Sequence, residues 1–347
     1  MATSIEKNKK SVKDYLESGK DQKFVIPEYQ RPYAWTDEEV LTLFEDLVEY
    51  TEENIDSPYF LGSIVSYTNE FNEQEVIDGQ QRITTLFLLL RAIYSKLEKM
   101  TDSKEKKYAI GKIEPTLWKT EKLTGEAIKD QVLIESRVYE SNFNKVLTDI
   151  LETGKTEKGS KDGYTQNYLL CQKLIDDYAK DEPISFYPFV NNILENVIVL
   201  PIKADNQDTA LTIFSTLNDR GLPLSDADIF KAKIYNSLKD PDERNQFIKK
   251  WQELSTNAEY ANESIQKLFY YYMFYLRADE NDRKSTTPGL RKYFASNSFH
   301  RLYEQDLMNN LNTILNFWTT VNNHEAIYNG LVFSDSPIRW ILDSYKK

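Results

Sequence analysis

The sequence predicts an α+β fold, a small mixed domain followed by a mostly α-helical region, on three observations. "YFLGSIVSY" (59–67) and "EVI" (75–77) are rich in β-formers, and the polar "TNEFNEQ" between them makes an antiparallel hairpin. Ile83 to Leu97 is apolar nearly all round, the mark of a deeply buried helix. Beyond residue 100 the apolar spacing is mainly helical, with "NVIVLPI" (196–202) as the one later strand candidate. The expected domains are 1–100 for the α+β core, 101–240 for a helical remainder holding that strand, and 241–347 for a helical C-terminal region.

Taken in order, Lys7, Lys9, Lys10 and Lys13 read as a solvated, frayed N-terminus. "KFVIPEYQRPYAW" (23–35) starts as a short strand at Phe24–Ile26. Pro27 interrupts it and Pro32 blocks regular pairing further on, so an ordered loop dense in Tyr and Trp follows. Thr36 and Glu39 form a capping box, and the helix behind it carries Val40, Leu41, Leu43, Phe44, Leu47 and Val48 on one stripe. "ESRVYESNFNKVLTDIL" (135–151) has helical periodicity, and the Gly/Lys/Ser-rich "ETGKTEKGSKDGYTQ" (152–166) reads as a mobile loop. Residues 205–238 read as helix, turn and helix, with Gly221 in the turn and Ser225 and Asp228 capping the second helix. Helices of heavy aromatic content follow from 240, such as "YYMFYL" (271–276).

Composition narrows the function classes. The chain has 347 residues, 40% of them apolar, which is enough for a real core. Its net charge of −12 will not hold a polyanion through the overall field, so any nucleic-acid contact needs a local basic patch or a partner. The single cysteine, Cys171, excludes an intrachain disulfide and reads as a small buried hydrophobe, which fits a reducing cytosol. Met1–Lys13 is polar and shows no signal peptide, and no apolar stretch reaches membrane-spanning length; the expected location is cytoplasmic. His300 and His324 stand outside any metal-ligand spacing, so neither zinc nor a histidine-based nuclease centre is expected, nor haem or flavin.

The chemistry gathers at "EVIDGQQRITTLFLLLRAIY" (75–94), where a strand hands over to the buried helix. A helix start exposes unpaired N–H groups and partial positive charge, a natural phosphate site. Gly79 lets the backbone approach a ligand at positive φ, and Arg82 brings a forked cation suited to phosphate oxygens. Gln80 and Gln81 can orient a water for attack on phosphorus, and Asp78 can hold magnesium or accept a proton from that water. Thr84 and Thr85 are expected in the first helical turn, with hydroxyls within reach of phosphate or metal. The alternative is a plain Asp-Gly turn, with Asp78 as a cap and Arg82 paired to a nearby acid; the glycine spacing matches neither a Walker loop nor a dinucleotide fingerprint.

Four motifs in order, "VIPEYQRPYAW", "FLGSIV", "VIDGQQRITTL" and "IFSTLNDRGLPLSDADIFKAKIY", resemble the N-terminal domain family of GmrSD-type restriction endonucleases over about residues 10–240. The resemblance implies a ParB/sulfiredoxin-like core followed by helices, and a role in defence against foreign, often modified, DNA. It implies an NTP site, with Mg2+, at Asp78, Gly79, Gln80, Gln81 and Arg82, and it marks Tyr29, Gln30, Arg31, Pro32, Tyr33 and Trp35 as a second motif. Arg31 would grip phosphate, and Tyr29, Gln30, Tyr33 and Trp35 beside it would meet DNA; the alternative is an aromatic lid packed on the core. Arg220, in the run Asn218–Gly221, is a further candidate for the same pocket, against a plain helix–helix turn. The family's C-terminal HNH-type nuclease finds no His-centred counterpart here, so the implied partner is a nuclease domain or a separate nuclease protein. Two readings follow: an NTP-hydrolysing sensor module that gates a nuclease, or a non-catalytic DNA-recognition or scaffold module in which DGQQR is a structural turn.

Overall fold

The computed structural model describes residues 9–53, 57–138, 142–217, 225–282 and 287–322. The chain divides into two compact units, Met1–Gly221 and Leu222–Lys347. The first unit opens with β1 (Lys10–Ser11), α1 (Val12–Glu17), β2 (Phe24–Ile26) and α2 (Asp37–Glu52). The hairpin β3 (Tyr59–Thr68) and β4 (Gln74–Asp78) leads into α3 (Gln80–Lys99) and α4 (Lys104–Leu117). Three short strands follow, β5 (Trp118–Thr120), β6 (Ala127–Val132) and β7 (Ile134–Ser136). The unit closes with α5 (Asn142–Thr153), α6 (Gly163–Asp181), α7 (Phe186–Glu195), β8 (Val197–Ala204) and α8 (Gln207–Leu217).

Six strands form one mixed sheet in the order β1-β8-β3-β4-β2-β7, and β5 pairs with β6 apart from it. β3 and β4 are antiparallel, as their composition and turn predict, with Val65 opposite Asp78. β2 runs parallel to both β4 and β7, and β3 runs parallel to β8. The ends of β2, β4 and β7 therefore lie along one edge of the sheet, and β3 starts there. Ligands of sheets with parallel strands gather at such carboxyl ends.

The predicted buried helix is α3. It packs against α4, α5 and α6, and every residue from Ile83 to Ser95 is buried. An element apolar on all sides must be surrounded, and three helices together with the sheet do this. The capping box of Thr36 and Glu39 starts α2: the Glu39 carboxylate accepts from the Thr36 amide at 2.7 Å. Cys171 is buried on α6, and burial pushes its thiol up to about 12, so it is an inert core residue.

Four expectations need correction. Glu135 and Ser136 lie in the strand β7 rather than at the start of a helix, because Ile134 and Ser136 find parallel partners on β2. "NVIVLPI" is not the one late strand; β5, β6 and β7 precede it, and β8 extends to Ala204. The 152–166 loop is shorter, since α5 runs to Thr153 and Asp162 caps α6 by accepting the Thr165 amide at 2.9 Å. Nor is Lys10 frayed: it pairs with Val199, and Lys13 in α1 lies 3.7 Å from Glu195.

The second unit is helical: α9 (Asp226–Ser237), α10 (Pro241–Tyr260), α11 (Ile265–Asp279), α12 (Leu290–Phe299) and α13 (Leu307–Asn322). The predicted cap at Ser225 and Asp228 forms in full. The aromatic content builds its core, where Phe230, Phe269 and Phe294 meet at centroid distances of 4.9–5.5 Å. His300 is exposed on this unit, 3.9 Å from Glu304. His324 and the Asn218–Gly221 turn lie outside the described residues.

Candidate functional site

The strand–helix handover sits on the sheet edge described above, and the helix claims more of DGQQR than expected. Only Asp78 and Gly79 form the junction; Gln80, Gln81 and Arg82 are already the first turn of α3. Gly79 is the N-cap, at φ 83° and ψ 9°. A Cβ there would stand 3.0 Å from Ile64 Cγ1 and 3.2 Å from the Ser63 carbonyl oxygen, so both the dihedral and the space call for glycine. No side chain caps α3, and its first intrahelical bond runs from Ile83 N–H to Gly79 O at 2.9 Å. The amides of Gln80, Gln81 and Arg82 precede that bond and point out of the helix start.

Arg82 lies against the first part of β3. Its Nη1 donates to the Ser63 carbonyl at 2.9 Å. The strand bulges between Phe60 and Gly62, and Gly62 takes φ 132°. A Cβ on Gly62 would come within 2.8 Å of Arg82 Nη1, so the glycine makes room for the guanidinium. Among the described residues neither Arg82 nor Arg31 forms an ion pair. Both act on Asp78: burial pushes its carboxyl up, while a hydrogen bond from the Gly79 amide and the charges of Arg82 and Arg31 pull it back. Asp78 is therefore a partly desolvated carboxylate at a helix start, acted on by the charges of two arginines. No group of three or more His, Cys, Asp or Glu side chains among the described residues could hold a metal by itself.

The 27–35 loop is strapped across this junction. Gln30, 5% exposed, donates to the Ile77 carbonyl at 3.2 Å and accepts from Gln80 Nε2 at 3.3 Å. Gln81 fastens the far side: its Oε1 accepts the amides of Ala34 (2.7 Å) and Trp35 (3.1 Å), and its Nε2 donates to the Pro32 carbonyl (3.0 Å). Tyr33 stacks on Tyr164 at 5.0 Å, and its hydroxyl meets Thr85 Oγ1 at 2.7 Å and Asn167 Nδ2 at 3.1 Å. Tyr29 is buried; its hydroxyl donates to Glu75 at 3.3 Å and accepts from Gln207 at 2.7 Å. Tyr33 and Trp35 pack partly buried against the core, and Arg31 is exposed. The loop thus keeps Arg31 exposed, next to the Gln30 that binds the junction, and turns its rings inward.

Of the residues that the sequence singled out, the structure brings Asp78, Gly79 and Arg82 together, with Arg31 next in the chain to the Gln30 that bonds to Ile77 and Gln80. Gln80 and Gln81 are beside them, with amides engaged by the strap. Thr84 and Thr85 fall in the second turn of α3, not the first, and are 3% and 1% exposed. The Thr85 hydroxyl is held by Tyr33 and donates to the Gln81 carbonyl. Gly62 and Ser63 escaped the sequence reading; the glycine inside "FLGSIV", where a strand favours a side chain, is the signal that marks them.

A mixed sheet, a glycine at the strand–helix junction and two arginines without ion pairs among the described residues make up the candidate site. Residues 12–235 match the family "GmrSD restriction endonuclease, N-terminal domain". The chain belongs to this family. It is also 24% identical over 254 residues to a protein of Methanocaldococcus jannaschii named uncharacterized protein MJ0686, a match covering 66% of this chain and 42% of that protein. The chain thus spans less than half the length of the curated relative it matches. No helix among the described residues is long and apolar enough to cross a membrane.

Proposed function

We propose that this chain is an NTP-binding and NTP-hydrolysing sensor module on a ParB-like core, which gates a nuclease supplied by a further domain or a partner during restriction of foreign or modified DNA. The observation that carries the reading is the pair Arg82 and Arg31, neither ion-paired among the described residues, whose charges both act on Asp78 at the start of a 20-residue helix. Such a site asks for an anion, since two guanidiniums and a helix start outweigh one desolvated carboxylate.

In this reading the amides after Gly79 and the Arg82 fork hold the terminal phosphates, and Arg31 closes over them from the strap. Asp78 would hold Mg2+ through one carboxylate oxygen, with phosphate oxygens and water completing the shell, which fits a site with one acid. The cation supplies charge neutralisation when bound. Asp78 also stands where it can accept a proton from an attacking water; its raised pKa suits that task better than an exposed aspartate would. Gln81 acts as a positioning residue, because both ends of its amide are committed to the loop that carries Arg31.

Turnover of the four NTPs with magnesium by the wild type and Arg82→Ala tests the reading. Hydrolysis by the wild type and its loss in the variant are expected. Equal turnover by the two would remove the proposed centre.

A further inference from the structure

Farther along the same sheet edge is a cavity of about 260 Å³, lined by Pro32, Tyr33, Val138, Asn144, Lys161, Asp162, Gly163 and Tyr164. We propose that it takes the base of the nucleotide whose phosphates sit at Asp78–Arg82, an inference that rests on the reading above. The volume lies below the usual range for pockets that enclose a whole drug-sized ligand, and it suits one ring system.

Spacing supports the assignment in two directions. β4 ends at Asp78, and the sheet order puts β2 and then β7 beside it. Val138 follows the end of β7, two strand spacings from β4, or about 10 Å. Tyr33 is fixed to Thr85, six residues past Gly79, which is about 9 Å along the helix axis. Each displacement lies within the span from a nucleotide's base to its outer phosphates. The strap itself links the two ends, with Arg31 on the phosphate side and Pro32 and Tyr33 in the cavity wall.

The lining chemistry also fits a base. Pro32, Val138 and the stacked Tyr33–Tyr164 pair give flat apolar walls. Asn144 spends its Nδ2 on the Val138 carbonyl at 2.7 Å, which directs its Oδ1 away as an acceptor for an N–H edge. Lys161 is exposed at the rim and makes no ion pair among the described residues, so it can donate to a ring nitrogen or carbonyl. Walls for a ring face with one acceptor and one donor at the rim are the usual furniture of a base site.

The test is calorimetry on the full chain with each NTP and with inorganic tripolyphosphate, for the wild type, Asn144→Phe and Arg82→Ala. The inference expects at least one NTP to bind the wild type about tenfold tighter than tripolyphosphate, the scale of a single base–aromatic stack. Asn144→Phe, which fills the cavity, should bring NTP and tripolyphosphate within about twofold of each other and still bind tripolyphosphate, which shows that it is folded. Arg82→Ala should weaken both ligands by about tenfold or more. Equal binding of NTP and tripolyphosphate by the wild type would overturn the base site and leave the phosphate site standing. So would a preference that survives in Asn144→Phe. Failure of the wild type to bind either ligand would overturn the phosphate site, and this inference with it.

Discussion

Arg82 and Arg91 stand nine residues apart on α3 and meet opposite fates. Arg91 is 2% exposed. Its Nε donates to the Leu151 carbonyl at 2.9 Å and its Nη1 to Ser95 Oγ at 2.6 Å. The guanidinium lies 5.4 Å and 5.5 Å from the ring centroids of Tyr94 and Trp118, and its Nη2 fills the space over Gly154, where no Cβ would fit. It therefore closes the end of α5 from inside the core. Among the described residues Arg82 has one hydrogen-bond partner, the Ser63 carbonyl, and a glycine beneath it. The difference teaches how a structural arginine looks, with its donors used by the fold, and under the proposed reading Arg82 keeps its remaining donors for a ligand.

The largest effect should separate the two at once. Arg91→Ala leaves a cavity among rings and strips donors from the end of α5, so denaturant unfolding should show a loss on the order of 3 kcal/mol or more. Arg82→Ala should cost under about 1 kcal/mol by the same measurement, yet weaken triphosphate binding by about tenfold to a hundredfold, the value of lost charge-assisted hydrogen bonds. If Arg82→Ala unfolds the protein as Arg91→Ala does, the distinction collapses.

Gln81→Ala sharpens the comparison, because it cuts the strap without touching either guanidinium. It should cost about 1–2 kcal/mol for its lost hydrogen bonds. The amides of Ala34 and Trp35 should lose hydrogen-exchange protection, and kcat should fall several-fold with less change in KM. Normal protection at those amides would show that the loop is held by Tyr33 and Gln30 alone.

The smallest expected effect concerns pH. Burial raises the Asp78 carboxyl, so the folded state holds its proton more tightly than the unfolded chain does. That stabilising preference is present below the ordinary pKa of 3.8 and is lost as pH rises through the raised folded value. Asp78→Asn removes the loss, and above that window it should melt a few degrees higher than the wild type while losing hydrolysis. A lower melting temperature at neutral pH would show that the carboxylate serves stability instead.

Local signals in the sequence carried the hairpin, the two capping boxes, the buried α3 and the special backbone at Gly79, since each depends on residues close in the chain. Sheet order was not legible. β2 pairs with β7, more than a hundred residues away, and no local pattern announces a parallel partner at that distance. The same holds at the site. Asp78, Arg82 and Arg31 were readable by residue type, but the commitment of Gln81 to backbone 47 and 46 positions earlier was not. A glutamine's chemistry is the same whether it orients water or fastens a loop, and only its partners decide. Thr84 and Thr85 show the related error, in which a helix that starts three residues early carries two hydroxyls into the core.

The most direct measurement of the central claim is a calorimetric titration of Mg2+-triphosphate into the wild type and Arg82→Ala, at matched ionic strength and with the unfolding free energy of each recorded. The account predicts one site per wild-type chain, and a variant that is as well folded but binds at least about tenfold more weakly. A well-folded Arg82→Ala that binds as the wild type does would contradict it.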